Sequence, residues 1–245
     1  WPKTLRMARA GGTMKRFYKQ AAVAGGESGY SVQLDGRPVR TPARNPLCVP
    51  AQALAAAIAA EWEAQGETIN PVTMPLNALA EGALDQVIRE RDRIIARIAA
   101  FSDSDLLCYR AGAEQAALAA HQAEQWDPLL DWARSRYDIS FHLVSGIIHR
   151  PQPDETIGRL TAAVAAQGDY AIAAMLSLVG LTGSLIATLA LVEAALDPDT
   201  IWYEVNLEEL WQEQQWGADE LAVQNRTARE TAYLAAIRFL ALSRT

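Results

Sequence analysis

Two spacings of apolar residues divide the chain. Up to about residue 50 the apolar positions alternate with polar ones or fall in short runs. Arg16–Val23 and Tyr30–Leu34 have strand character, and Ser31-Val32-Gln33-Leu34 alternates with period two. Asp35-Gly36 follows, and Arg37-Pro38-Val39-Arg40 returns the chain. That dipeptide predicts a two-residue hairpin, because both turn positions need positive φ. Pro42, Asn45, Pro46 and Pro50 punctuate a loop and a short strand, Leu47–Val49. From Pro50 the spacing turns helical. Leu54, Ile58 and Trp62 recur at i, i+4, i+8 in a helix over 51–65 that Gly66 stops. Pro71 and Pro75 frame a turn before a longer helical stretch, 76–101, lightly interrupted at Gly82. Leu106–Tyr109 is predicted as a strand that rejoins the N-terminal sheet. Residues 114–137 are helical, with Pro128 expected to open a second helix after a bend, capped by Asp127. Ile139–Ile148 alternates as a strand, and helices then run over about 153–166, 169–195, 198–216 and 219–242.

The expectation is an α+β fold, with a β-rich N-terminal domain packed against an all-α C-terminal helical domain. The segments are a tail over 1–14, an α+β domain over 15–112 and a helical domain over 113–245. No Gly/Ser-rich linker separates the two domains. The tail is basic, ends in Gly-Gly-Thr and lacks the apolar core of a secretory signal. It has the charge of a transit peptide and nothing more of one.

One helical run has two faces of different kinds. In Leu207–Gly217, Leu207, Leu210, Trp211 and Gln214 form a stripe expected to face the core. Glu209, Gln212, Glu213 and Trp216 follow the same spacing on the opposite face. A tryptophan among acids and amides there suits a protein-contact anchor. Glu209 and Glu213 would share that face and repel mildly.

Composition narrows the classes. Half of the 245 residues are hydrophobic, 21% are charged and the net charge is −7. That balance argues against a nucleic-acid binder, which needs a basic footprint. It is compatible with a basic protein partner. Ala171–Val192 carries no charge across 22 residues, long enough to cross a bilayer. Its alanines, with Ser177, Thr182, Ser184 and Thr188, favour a buried central helix instead, and no integral membrane span is expected. Gly180 and Gly183 would allow close crossing or mark a break. Cys48 and Cys108 both sit in apolar runs and form no disulfide framework, consistent with a reducing compartment.

The chemistry-bearing motifs are mostly absent. There is no phosphate-binding glycine loop, nucleophile elbow, H-E-x-x-H helix or paired C-x-x-C. His142 and His149 fall on opposite faces of their strand-like segment, so no metal site is expected, and His121 stands apart. Asp103 and Asp105, before an apolar run, offer a weak carboxylate pair whose bland alternative is turn chemistry. Trp62, Trp126, Trp132 and Trp202 are expected in the core or between domains. Arg37, Arg40 and Arg44 cluster beside the hairpin, either protecting a sheet edge or meeting an acidic partner or phosphate.

Eight stretches, in order, carry a family resemblance: K-R-F-Y-K (15–19), L-D-G-R-P-V-R-T-P (34–42), A-A-E-W-E-A-Q-G-E (59–67), P-V-T-M-P-L (71–76), D-S-D-L-L-C-Y-R (103–110), W-D-P-L-L (126–130), L-T-G-S-L (181–185) and E-L-W-Q-E-Q-Q-W-G (209–217). Together they resemble the α-subunit-specific assembly chaperones of the catalytic head of the F-type ATP synthase, found in mitochondria and α-proteobacteria. Glu208 stands where the family often has aspartate. The resemblance implies a non-enzymatic protein without cofactor that binds the unassembled α subunit and shields its β-facing surface. It implies a place in the bacterial cytoplasm or mitochondrial matrix, and a monomer is expected. Glu209, Gln212, Glu213 and Trp216 are the expected partner-binding residues, with Arg37, Arg40 and Asp105 as a secondary contact. The alternatives are a small-molecule enzyme using Asp103, Asp105 or Glu209, and a helical scaffold with another partner.

Overall fold

The computed structural model describes residues 14–146 and 148–244. The expected tail therefore lies outside the described residues except for Met14. The N-terminal part holds β1 (Met14–Lys15), β2 (Ala21–Gly26), β3 (Gly29–Leu34), β4 (Arg37–Pro38), β5 (Cys48–Val49), α1 (Gln52–Glu63) and β6 (Thr68–Ile69). β3 is central: β2 lies along one side, and β4 and β5 pair with it on the other. The hairpin forms as expected, with Asp35 at φ 48°, Gly36 at φ 78° and Leu34 opposite Arg37.

The strand expected over 16–23 is broken. Tyr18 turns inward, donates its hydroxyl to the Trp62 carbonyl at 2.6 Å and sets its ring edge-on to Trp62. The Arg16 guanidinium lies 4.6 Å from the Tyr18 ring centre and bonds the carbonyls that end α1. This anchor to the helix takes the chain out of the sheet until Ala21, and β1 pairs with β6 instead. α1 buries Leu54, Ala55, Ile58 and Trp62 in the shared core.

The long helical stretch is α2 (Pro75–Gly82), a π turn (Ala83–Val87) and α3 (Ile88–Ala99). Three further expectations are corrected beyond it. Leu106–Cys108 is a 3₁₀ turn, and the strand after it, β7 (Tyr109–Arg110), never reaches the N-terminal sheet. Asp105 and Leu106 are tied to residues 183–186 far along the chain. α4 (Ala116–Tyr137) runs unbroken through Pro128. Trp126, Leu129, Leu130 and Ala133 are completely buried, and the Trp126 indole donates to the Glu204 carbonyl at 2.8 Å. That packing outweighs the roughly 3 kcal/mol cost of an interior proline. Asp127 pairs with Arg110 and caps nothing. The expected strand 139–148 shrinks to β8 (Val144–Ser145), parallel to β7. Around it the Gln152 amide bonds both the N–H and the C=O of His142, leaving no ladder to extend.

The remaining chain is α5 (Asp154–Ala165), α6 (Asp169–Thr182), α7 (Leu185–Val192), α8 (Pro198–Val205), α9 (Leu207–Trp216) and α10 (Glu220–Ser243). The uncharged run lies mostly in the core and splits at Gly183, which takes φ 67°. Every residue of α7 is buried. No helix among the described residues is long and apolar enough to cross a membrane. One continuous core joins the two parts, and the Tyr170 hydroxyl reaches the Cys48 carbonyl at 2.9 Å. α10 packs on α6, with the Phe239 ring 6.2 Å from that of Tyr170, and buries Tyr233, Ala236, Phe239 and Leu240.

Two acids are enclosed in this core. Asp105 is fully buried and accepts from the N–H groups of Ile186 (3.0 Å) and Leu107 (3.1 Å). It thus caps α7 from a distant loop, beside the Ser184 hydroxyl that accepts from Ala187. Burial pushes its carboxyl up to about 6 against these bonds. Glu204 is also buried, with one carboxylate oxygen unpartnered among the described residues, and burial pushes it up to about 7. Removing the cap leaves N–H groups stranded. Asp105→Ala is expected to lose about 3 kcal/mol in urea unfolding, with Asp105→Asn recovering part of it. A raised carboxyl means the folded state keeps its proton to higher pH, so stability falls as pH rises from about 4.5 to 7 at Glu204. The stability of the wild-type chain relative to Glu204→Gln should therefore rise on the order of 2 kcal/mol between pH 8 and pH 5. A pH-independent difference would contradict the assignment.

Candidate partner-binding hairpin

α8 starts at Pro198 under the Asp197 carboxylate, which accepts from the N–H groups of Asp199 and Thr200. Asn206 separates α8 from α9 and ties back to the Trp202 carbonyl at 2.8 Å. α9 is anchored at its start and free at its end. Leu207 is buried, Leu210 and Trp211 are half-buried, and Trp211 lies 5.6 Å from the His121 ring of α4. Gln214, expected on the core stripe, is exposed, because α9 leaves the body before it gets that far.

The opposite face is shared between α10 and solvent. Gly217 turns the chain at φ 88°, and Asp219 caps α10 by accepting from the Ala222 N–H at 2.8 Å. α10 then folds back along α9. Glu209 pairs with Arg226 (2.9 Å) and Arg229 (2.5 Å), and Glu213 pairs with Arg226 (2.6 Å). Burial alone would lower Arg226, but Glu213 and Glu209 hold it above its usual range. Arg229 also lies over Trp202, whose ring packs 4.8 Å from Tyr233. The two glutamates that share a helix face therefore meet two arginines instead of each other. Gln212 and Trp216 remain open, and Trp216 is 75% exposed. Across the turn Leu221 is 65% exposed, so the hairpin ends in an apolar tip. No residue of α10 before Tyr233 is buried, so ion pairs brace this end of the hairpin.

Other predicted residues lie elsewhere. Asp105 is enclosed and reaches no surface. Asp103 accepts from the Gln152 N–H at 2.9 Å and pairs with His149, which in turn meets the Tyr109 hydroxyl at 2.8 Å. Asp103, Asp105 and Glu209 thus have separate partners, and none of them lines the hollow between β2 and α1 or the one beside Ile139 and Pro153. Among the described residues, no group of three or more histidine, cysteine or acidic side chains could hold a metal. Arg37 and Arg40 are exposed on the β4 turn. The residues missed by periodicity are Arg226, Arg229 and Leu221. Their signal was charge matching across an antiparallel pair, with Glu209 and Glu213 before the Gly217 turn and Arg226 and Arg229 after it.

Charge is distributed unevenly. Residues 113–245 hold 18 acidic and 8 basic side chains, whereas 14–112 hold 11 of each. The hairpin therefore rises from the acidic part of the chain.

Residues 15–134 match the family model described as ATP12 chaperone protein. The crystal structure of Atp12 from Paracoccus denitrificans superposes with a TM-score of 0.88 at 37% identity, covering 94% of this chain and 98% of that one. The Atu1473 protein of Agrobacterium tumefaciens also gives 0.88, at 42% identity over 93% of this chain and 85% of that one. Protein atp12, mitochondrial, of Schizosaccharomyces pombe is 26% identical over 219 residues, 85% of this chain and 75% of its own length. The chain belongs to the ATP12 chaperone family, non-enzymatic factors in ATP synthase assembly.

Proposed function

We propose that the chain binds the unassembled α subunit of the F-type ATP synthase and shields its β-facing surface until the hexamer forms. The observation that carries this reading is the tip of the α9–α10 hairpin, where Trp216 and Leu221 stand exposed on a charge-braced support. A free subunit with apolar interface patches is an aggregation hazard. A large aromatic on a preorganised helix end can cover such a patch with little entropy lost on binding. In this reading Trp216 and Gln212 touch the subunit. Glu209 and Glu213 brace the hairpin, and about a third of each side chain stays open to complement basic groups on the partner. The small tip suits a contact that a β subunit must later displace. With relatives both in mitochondria and in bacteria, the place of action is the matrix or the bacterial cytoplasm.

The immobilised chain should capture separately prepared α subunit and leave β subunit unbound. Capture of neither would overturn the reading. Trp216→Ala should weaken α-subunit binding about 10- to 100-fold, the effect of a hot spot worth roughly 1–3 kcal/mol, with an unchanged thermal midpoint. Unaltered affinity in that folded variant would remove the tip from the contact.

A further inference from the structure

Three arginines crowd one turn of the N-terminal part. Arg37 opens β4, and Arg40 and Arg44 flank the tight loop behind it; all three are exposed. The loop is built rather than loose. Asp85, in the π turn between α2 and α3, accepts from the Thr41 hydroxyl (2.5 Å), the Ala43 N–H (2.9 Å) and the Asn45 amide (2.9 Å). The Thr41 N–H donates to the Asn45 carbonyl at 2.9 Å, and the Arg44 N–H to the Thr41 carbonyl at 2.8 Å. Arg40 donates to the Arg44 carbonyl at 2.9 Å, which sets these two residues side by side. Arg44 is held at φ 69°, a left-handed conformation that a non-glycine residue adopts only when its surroundings impose it.

The nearby acids do not neutralise these arginines. Asp35, at the hairpin turn, accepts from the Lys19 and Gln20 N–H groups. Both oxygens of Asp85 are taken by the loop itself. Nine other arginines form salt bridges among the described residues, yet none is formed by Arg37, Arg40 or Arg44. Unpaired guanidinium groups on a rigid loop suit bidentate recognition of carboxylates.

We propose that the turn Arg37–Asn45 is a docking site for an acidic segment of a protein partner, engaged by Arg37, Arg40 and Arg44. The identity of that partner, the α subunit, rests on the function proposed above; the chemistry of the turn does not. The two surfaces then differ in kind, the acidic hairpin meeting apolar and basic groups and the arginine turn meeting carboxylates.

The test uses the full chain and a fluorescent octaglutamate peptide, read by anisotropy. The wild type should bind saturably and more weakly with rising salt. The variant R37Q/R40Q/R44Q should lose about tenfold or more in affinity, and R37K/R40K/R44K, which keeps the charge but lacks the bidentate fork, should fall between it and the wild type. Should the triple glutamine variant unfold, R37Q carries the test, because Arg37 holds no loop bond; it should lose about twofold to threefold. No peptide binding by the wild type, equal binding by the glutamine variants, or stronger binding to phosphatidylserine vesicles than to peptide would overturn the proposal. Failure of the wild type to capture α subunit while peptide binding persists would overturn the partner and leave the turn standing.

Discussion

The fold depends on burying a 22-residue uncharged stretch in its core. Ala171–Val192 breaks at Gly183, which leaves the first N–H groups of α7 within a buried region. Asp105 supplies the missing acceptor from the opposite half of the chain, with Ser184 beside it. The cost is an acid held where it ionises reluctantly, at about 6. The gain is that the two parts cannot separate without stranding donors. α6, once placed, supports the C-terminal half of α10, and α10 in turn reaches out to brace α9. The exposed tip is thus the far end of a chain of dependence that starts at a buried carboxylate.

Charge does different work at the two ends of that chain. In the core, acids are single and enclosed: Asp105 is satisfied by backbone N–H groups, whereas Glu204 keeps one oxygen unpartnered among the described residues. At the hairpin, four side chains form a half-buried network between helices that share little apolar surface. Several linked pairs in one network hold geometry better than isolated surface pairs, whose individual contribution is usually below about 1 kcal/mol. The arginine turn is a third arrangement, with rigid backbone and unspent charge.

Much of this was legible in residue order. Asp35-Gly36 announced its hairpin by dihedral need alone, and the breaks at Gly183 and Gly217 followed from the positive φ of each glycine, whereas α1 ends at Glu63, before Gly66. Trp216 was conspicuous because a large aromatic on a polar helix face gains little from water and much from a partner. What escaped the sequence was set by distant partners. Pro128 ends a helix in isolation, yet Trp126 and its bond to Glu204 hold the helix through it. Leu106–Tyr109 has strand composition, yet the tether of Asp105 sends it elsewhere. Asp105 looks the same in sequence whether it turns a loop at the surface or caps a buried helix. The partners of Glu209 lie 17 and 20 residues away on a helix whose direction periodicity does not specify.

The central claim is that the chain meets its subunit through the α9–α10 tip. Backbone hydrogen–deuterium exchange of the whole chain, with and without unassembled α subunit, tests it most directly. The account predicts new protection concentrated at residues 212–221, with β subunit producing none. Protection confined to other faces, with the tip exchanging as it does in the free chain, would contradict it.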